Sequence, residues 1–313
     1  MTLAGAIAGE AFGPRGTVTQ LLGPVMAAHA GDIVLGWSGA HLDQPDGVHA
    51  MRVSTRRLRS ILTTGRPFLD RSVTEPVRDE LGWLADVLGT ARDAEVQQAR
   101  IDEALDALVT ERSDLDWEAD HVRPALLAPL REQHAQAVDD MRAALESQRY
   151  ADLAASLSTL VTDPPWSAKA EQHLEKAYRR RVRHHLRRLE RRMPTASDVH
   201  VDPDARAAAL HDARKAVKRA RYAVEPLRPV HCKQAKRLTK RLKSLQSILG
   251  QLQDTVITRT YLHDLVVSRS QEVDATVGLV AGALIEREAI HAKDYEEAAM
   301  DAWHEVRDSK PLR

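Results

Sequence analysis

Apolar side chains recur along this chain at helical spacing, and the clearest case runs from Leu210 to Val224. At about 100° per residue, Leu210, Ala213, Val217, Ala220 and Val224 share one side, while His211, Arg214, Lys215, Lys218, Arg221 and Tyr222 share another. The next segment repeats the device, with Ala235, Leu238, Leu242 and Leu249 grouped away from Lys233, Lys236, Arg237, Lys240 and Lys243. Read this way, the spacing predicts helices near 17–37, 45–64, 73–109 and 118–148, then near 167–193, 203–226, 232–268 and 271–307. Between them lie the breaks Gln44-Pro45-Asp46-Gly47, Arg66-Pro67, Asp163-Pro164-Pro165, Met193-Pro194 and Arg228-Pro229.

The pattern is also duplicated. His49, Arg52, Arg56 and Arg59 of VHAMRVSTRRLRSIL are matched, 162 residues later, by His211, Arg214, Lys218 and Arg221 of LHDARKAVKRARYAV. Leu88, Gly89, Arg92 and Asp93 are matched at an offset of 161 by Leu249, Gly250, Gln253 and Asp254. Self-similarity on this scale marks an internal repeat. The expected architecture is all-α: two pseudo-symmetric four-helix bundles with a basic groove between them, residues 17–163 and 164–313 forming the repeats behind a flexible segment 1–16.

Composition agrees with helices, since aromatic residues are 4% and charged residues 29% of the chain. No uninterrupted apolar run reaches the roughly 20 residues of a bilayer span, and the first residues lack the basic start of a secretory signal, so a cytoplasmic protein without a membrane partner is expected. Cys232 is the only cysteine, which excludes an intrachain disulfide and, with no catalytic setting around it, reads as a structural thiol.

Charge changes the picture most. The 45 basic and 45 acidic residues cancel, yet Lys176 to Arg259 holds 23 Lys plus Arg against 7 Asp plus Glu. Arg179 to Arg192 alone carries eight Arg with His184 and His185 against Glu190. An exposed helix ordinarily intersperses carboxylates, because like charges three or four residues apart cost a few tenths of a kcal/mol per pair. Rows without carboxylates are tolerable where an anion lies across them, and Arg supplies the bidentate donors that phosphate accepts. The candidate donors are His49, Arg52, Arg56, Arg57 and Arg59, with Arg66 in support; Arg180, Arg183, His184 and Arg187; His211, Arg214, Lys215, Lys218, Arg221 and Tyr222; and Lys233, Lys236, Arg237 and Lys240. Single-stranded nucleic acid is the competing polyanion, but only Tyr178 and Tyr222 offer stacking surfaces in the basic segment. Protonation of the histidines predicts tighter binding as pH falls through about 6.5.

Other chemistry has less support. Adjacent His184 and His185 point about 100° apart and cannot share a metal, and His49 and His211 each have Arg three residues on, so neither metal nor cofactor is expected. Asp93 and Asp254 are expected to orient a cation or join the contact between halves, and Gly89 and Gly250 to allow close helix packing. A phosphate-processing enzyme needs acidic metal ligands that the sequence does not place beside the basic rows.

These residues resemble the CHAD family, the conserved histidine α-helical domain. Its His-x-x-Arg-x-x-x-Arg/Lys pattern is similar to His49, Arg52, Arg56 and Arg59, and to His211, Arg214, Lys218, Arg221, Tyr222 and Glu225; Leu88 to Asp93 and Leu249 to Asp254 look like its second signature. The resemblance implies paired four-helix bundles and a basic groove or pore that binds inorganic polyphosphate without turning it over. It also implies association with polyphosphate bodies or storage granules and their proteins. Two features depart from the family: no triphosphate tunnel domain of the CYTH type fits inside 313 residues, and the first helix, around Leu21 to Trp37, is poor in Arg and Lys.

Overall fold

The computed structural model describes residues 16–44, 46–111, 119–172, 174–197, 203–227, 232–268 and 274–309. Among these the helices are α1 (Val18–Leu35), α2 (Trp37–His41), α3 (Gly47–Gly65), α4 (Arg71–Glu111), α5 (Ala119–Glu146) and α6 (Gln148–Thr162), followed by α7 (Leu174–Ser197), α8 (Pro203–Val224), α9 (Cys232–Ser268) and α10 (Ala275–Asp308). One isolated bridge pairs Leu69 with Trp166. The predicted N-terminal segment, the breaks at Pro45 and Pro229, and the side chains of Tyr178 and Cys232 lie outside the described residues.

Local chemistry sets several ends. Thr17 and Gln20 form a reciprocal capping box that starts α1, Ser147 accepts from the Tyr150 amide to start α6, and Asp274 accepts from the Val277 amide at 2.8 Å to start α10. Pro67 falls in a 3-10 turn over Arg66–Phe68, which ends α3. Four expectations need correction. The first predicted helix divides at Gly36. Residues 148–162 form a helix of their own, α6, because the Ser147 cap restarts the chain after α5. The segment from 167 opens with a 3-10 turn over Ala168–Glu171, and α7 begins only at Leu174. Finally, α7 continues beyond Pro194 to Ser197 instead of stopping at it.

Helices follow the same succession of neighbours in each half: α1 packs on α3, α3 on α4 and α4 on α5, as α7 packs on α8, α8 on α9 and α9 on α10. Each also touches its counterpart across the molecule, α1 with α7, α3 with α8, α4 with α9 and α5 with α10. The larger apolar core draws on both sides of residue 163, from Val18, Leu22 and Met26 through Leu58, Leu62, Leu84 and Leu88 to Val217, Leu242 and Trp303. A second core closes the far ends of the long helices, where Ile101 and Leu105 of α4, Leu126 and Leu130 of α5, Leu262 of α9 and Leu284 of α10 meet. Both α4 and α9 therefore run through two cores.

The halves differ in one element. α6 lies against α1, α4 and α5, burying Tyr150, Leu153, Leu157 and Leu160, and the Tyr150 hydroxyl donates to the Ile33 carbonyl at 3.3 Å. In the second half α7 packs directly on α10. Among the described residues α1 is the one helix long and apolar enough by composition to cross a membrane; Gln20, His29 and Asp32 interrupt it, and Leu21, Leu22, Met26 and Ile33 are committed to the core.

Candidate functional site

The rows at the 162-residue offset lie on α3 and α8, and those two helices touch. On α8 the buried side consists of Ala213, Ala216, Val217, Ala220, Ala223 and Val224, small residues that let neighbouring helices approach closely. On α3 the buried side is Met51, Ser54, Thr55, Leu58, Ile61 and Leu62. The Arg56 Nη2 donates to the Tyr222 hydroxyl at 3.5 Å, joining the two rows directly.

Lys218 sits at the middle of this meeting. Its ammonium is lowered from the ordinary lysine range to about 7, first by burial and then by Arg214, Arg56 and Arg52, with Asp93 acting in the opposite sense. Asp254 of α9 lies in the same cluster: burial raises its carboxyl and Asp93 adds to the rise, while Arg214, Arg100 and Lys218 oppose it. Asp93 accepts from Arg52 at 2.8 Å. Arg100 donates to the buried Glu288 of α10 at 2.6 Å, which anchors α4 beneath the cluster. Among the described residues, Arg56, Arg214 and Lys218 have no carboxylate within 4.0 Å. The buried Nε atoms of Arg52 and Arg214 also lack a hydrogen-bond partner there. Among these groups cations outnumber carboxylates.

Two glycines of α4 lie against the α3 row, and at Gly82 the approach is close. A Cβ on Gly82 would stand 3.1 Å from the Arg59 Nη2, and one on Gly89 would stand 3.6 Å from the Arg52 Nη2. Close helix packing, the expectation for Gly89, takes the form there of ordinary contact with a guanidinium of α3. The same expectation fails at Gly250, where a Cβ would meet nothing within 4 Å.

The cluster continues onto α7. Arg219 of α8 is lowered by burial and then by Arg188, Arg192 and Arg59, with Asp212 opposing. Arg192 pairs with Asp212 at 2.5 Å, and the Arg181 Nε donates to the Thr64 carbonyl of α3 at 3.2 Å. His185 is buried beside them and held down to about 4, by burial first and then by Arg181, His184, Arg219 and Arg188.

Placement of the remaining candidates corrects several expectations. Arg57 faces the buried His29 of α1 and lowers it, away from the row. Arg66 is held by both carboxylate oxygens of Glu75 at 2.6 Å, so it is an internal ion pair. Arg221 pairs with Glu225 at 3.3 Å and lies over the Tyr222 ring. His49 and Lys215 are exposed, and Lys215 is among the charges that lower His211, after burial. That lowering weakens the predicted role of His211 as the group that gains charge near pH 6.5. On α7, Arg183 and Arg187 line a separate cavity of about 330 Å³ with Leu238, Trp303 and Arg307, while Arg180 and His184 are exposed. Lys233, Lys236, Arg237 and Lys240 are exposed along α9, and none of them is among the charges that shift Lys218 or Asp254. Sequence reasoning passed over Arg100, Arg188, Arg192 and Arg219. Their signal was available on α7, where Arg181, His185, Arg188 and Arg192 share a side at 100° per residue, opposite Arg183 and Arg187.

The fold has counterparts among known proteins. The chain resembles PptA from Streptomyces chartreusis, with a TM-score of 0.76 at 21% identity over 92% of this chain and all of that one. It also resembles the CHAD domain from the plant Ricinus communis, with a TM-score of 0.68 at 23% identity over 94% of each chain. In sequence it is 34% identical, over 251 residues, to the uncharacterized protein Rv2226 of Mycobacterium tuberculosis (strain ATCC 25618 / H37Rv). The alignment covers 79% of this chain but 45% of that relative, so the chain spans about half the length of the curated relatives it matches. The CHAD domain family model matches residues 25–263, which contain both signatures and the whole α3/α8 cluster, and the chain belongs to the CHAD domain family.

Proposed function

We propose that this protein binds inorganic polyphosphate, without processing it, along a groove whose floor is the α3/α8 contact, in a molecule built from two pseudo-symmetric helical units. One observation carries the reading: Arg52, Arg56, Arg214 and Lys218, from twin positions of the two repeats, are gathered where Lys218 is half-buried, with Asp93 and Asp254 as the carboxylates beside them. Crowded cations cost free energy in an empty protein, and a ligand with a negative charge on every unit offsets that cost along its length. Guanidiniums suit phosphoryl oxygens, which accept two parallel hydrogen bonds. A chain of phosphates needs no stacking platform, and Tyr222 is tied to Arg56. The family membership supports the same ligand, and through it the protein would reside on polyphosphate bodies or storage granules beside their proteins.

The test is calorimetric titration with polyphosphate of defined length at low salt. Binding is expected for the unaltered chain and a loss of at least about tenfold for the double substitution Arg56→Ala, Arg214→Ala, with helicity unchanged, because each charged hydrogen bond contributes about 1.5–3 kcal/mol. Failure of the unaltered protein to bind would end the proposal. Competition with single-stranded DNA, and phosphate release assayed in Mg²⁺, separate it from a nucleic-acid scaffold and from a hydrolase.

A further inference from the structure

Two ionisable groups of the cluster, Lys218 and Asp254, are held where their charged forms are disfavoured, and they enter it from different helices. Facing Lys218 are Arg52 and Arg56 of α3, Asp93 of α4 and Arg214 of its own helix. Facing Asp254 are Arg214 and Lys218 of α8 with Arg100 and Asp93 of α4. The other elements packed on α8 direct their charges elsewhere: Arg188 and Arg192 of α7 act on Arg219, and Glu225 of the following turn pairs with Arg221. The geometry is that of the α3/α8 contact, where the Arg56 Nη2 reaches the Tyr222 hydroxyl and Lys218 is partly buried with no carboxylate within 4.0 Å among the described residues. An ammonium there has three guanidiniums as neighbours and is partly stripped of water. With a value of about 7, Lys218 is largely an uncharged amine at pH 8. A phosphate chain laid across Arg52, Arg56 and Arg214 reverses the local field, supplying negative charge and acceptors where only cations stood.

We infer that polyphosphate entering this cluster draws a proton from solvent onto the Lys218 Nζ, so that the protein grips its ligand more weakly as pH rises through neutrality. The inference rests on the polyphosphate reading above. The balance is simple: the amine lone pair accepts one proton from the buffer and no other bond is made or broken. Asp254 works in the same direction, since added phosphate charge beside a carboxyl already raised by burial and Asp93 favours its protonated form.

For Lys218 the expected effect is a loss of about tenfold in affinity between pH 6 and pH 8, the limit set by an amine that titrates about midway between them in the free protein. Lys218→Arg is the informative variant, because it keeps the charge and the donors yet does not titrate in this range. Other groups whose charge changes on binding contribute equally to both proteins and cancel. Calorimetry at pH 8 in two buffers of different ionisation enthalpy counts the protons. Chains of about 100 phosphates keep the ligand's own terminal groups a minor contribution. The unaltered protein should take up close to one proton per bound site more than Lys218→Arg, and its affinity should fall more steeply with pH. Equal proton uptake in two proteins that both bind would overturn the inference and leave the polyphosphate reading standing; absence of binding by the unaltered protein would remove both. A second measurement needs no ligand: the ¹³Cε resonance of Lys218, identified by its loss in the arginine variant, should titrate near 7 in the free protein. A midpoint above about 10, ordinary for lysine, would overturn the inference even if Lys218→Arg failed to fold.

Discussion

His29 and His185 each lose access to water in the core, and both are held down to about 4, by burial first and by neighbouring arginines second. A histidine whose folded value lies below its unfolded one binds fewer protons in the native state. Its contribution to stability is therefore intact above about pH 6.5 and is lost as pH falls toward 4. Each residue should cost on the order of 2 kcal/mol by pH 5. Urea unfolding at pH 7 and pH 5 checks this, and His185→Gln should flatten the difference by about half. The row residues lend themselves to a second comparison: Arg56→Glu with Arg214→Glu should abolish polyphosphate binding, whereas Lys236→Glu with Lys240→Glu, on the exposed side of α9, should weaken it by less than about tenfold. Titration in low salt distinguishes the two. At this scale the sequence was half legible. Residue types and their 162-residue offset announced the cluster, but the burial that brings Lys218 toward neutrality depends on Arg52 and Arg56 arriving from another helix, which no local pattern encodes.

Among elements, α7 provides the sharpest test, because its arginines divide between two sides. Arg188 and Arg192 lie among the charges that act on Arg219, whereas Arg183 and Arg187 line the cavity with Trp303. Alanine at Arg188 and Arg192 should weaken polyphosphate binding more than alanine at Arg183 and Arg187, measured in the same titration. Counting charges along the run did not divide the two pairs, while their angular positions would have separated them. Helices α3, α8 and α9 were legible because apolar and basic residues segregate cleanly around them. The α6 helix was not, since Leu145, Tyr150, Leu153 and Leu157 continue an apolar rhythm across the Ser147 cap and nothing marked them as a separate element. The far-end core gives another element-scale expectation. Leu105→Ala should destabilise the protein by about 2–5 kcal/mol without changing affinity for polyphosphate, since it empties a core remote from Lys218.

For the molecule as a whole, a ligand bound across two repeats should tie them together. Polyphosphate at 100 times its dissociation constant should raise the unfolding free energy by about 2.7 kcal/mol, seen as a higher midpoint in thermal melts, and the gain should shrink as salt rises. The helical character and the order of the helices were foreshadowed by the repeated signatures, but the larger core was not, because its residues come from helices on both sides of residue 163. A chain made of two similar repeats faces a hazard in folding: a helix of one repeat can settle into the berth of its twin and leave a tangled or exchanged molecule. The presence of α6 on one side, with Trp166 fastened to Leu69 directly after it, makes the two berths unequal. Tyr150, Leu157 and their neighbours fit beside α1 but find no matching seat beside α7, where α10 already lies. An exchange of that kind would cost α6 its contacts with α1, α4 and α5.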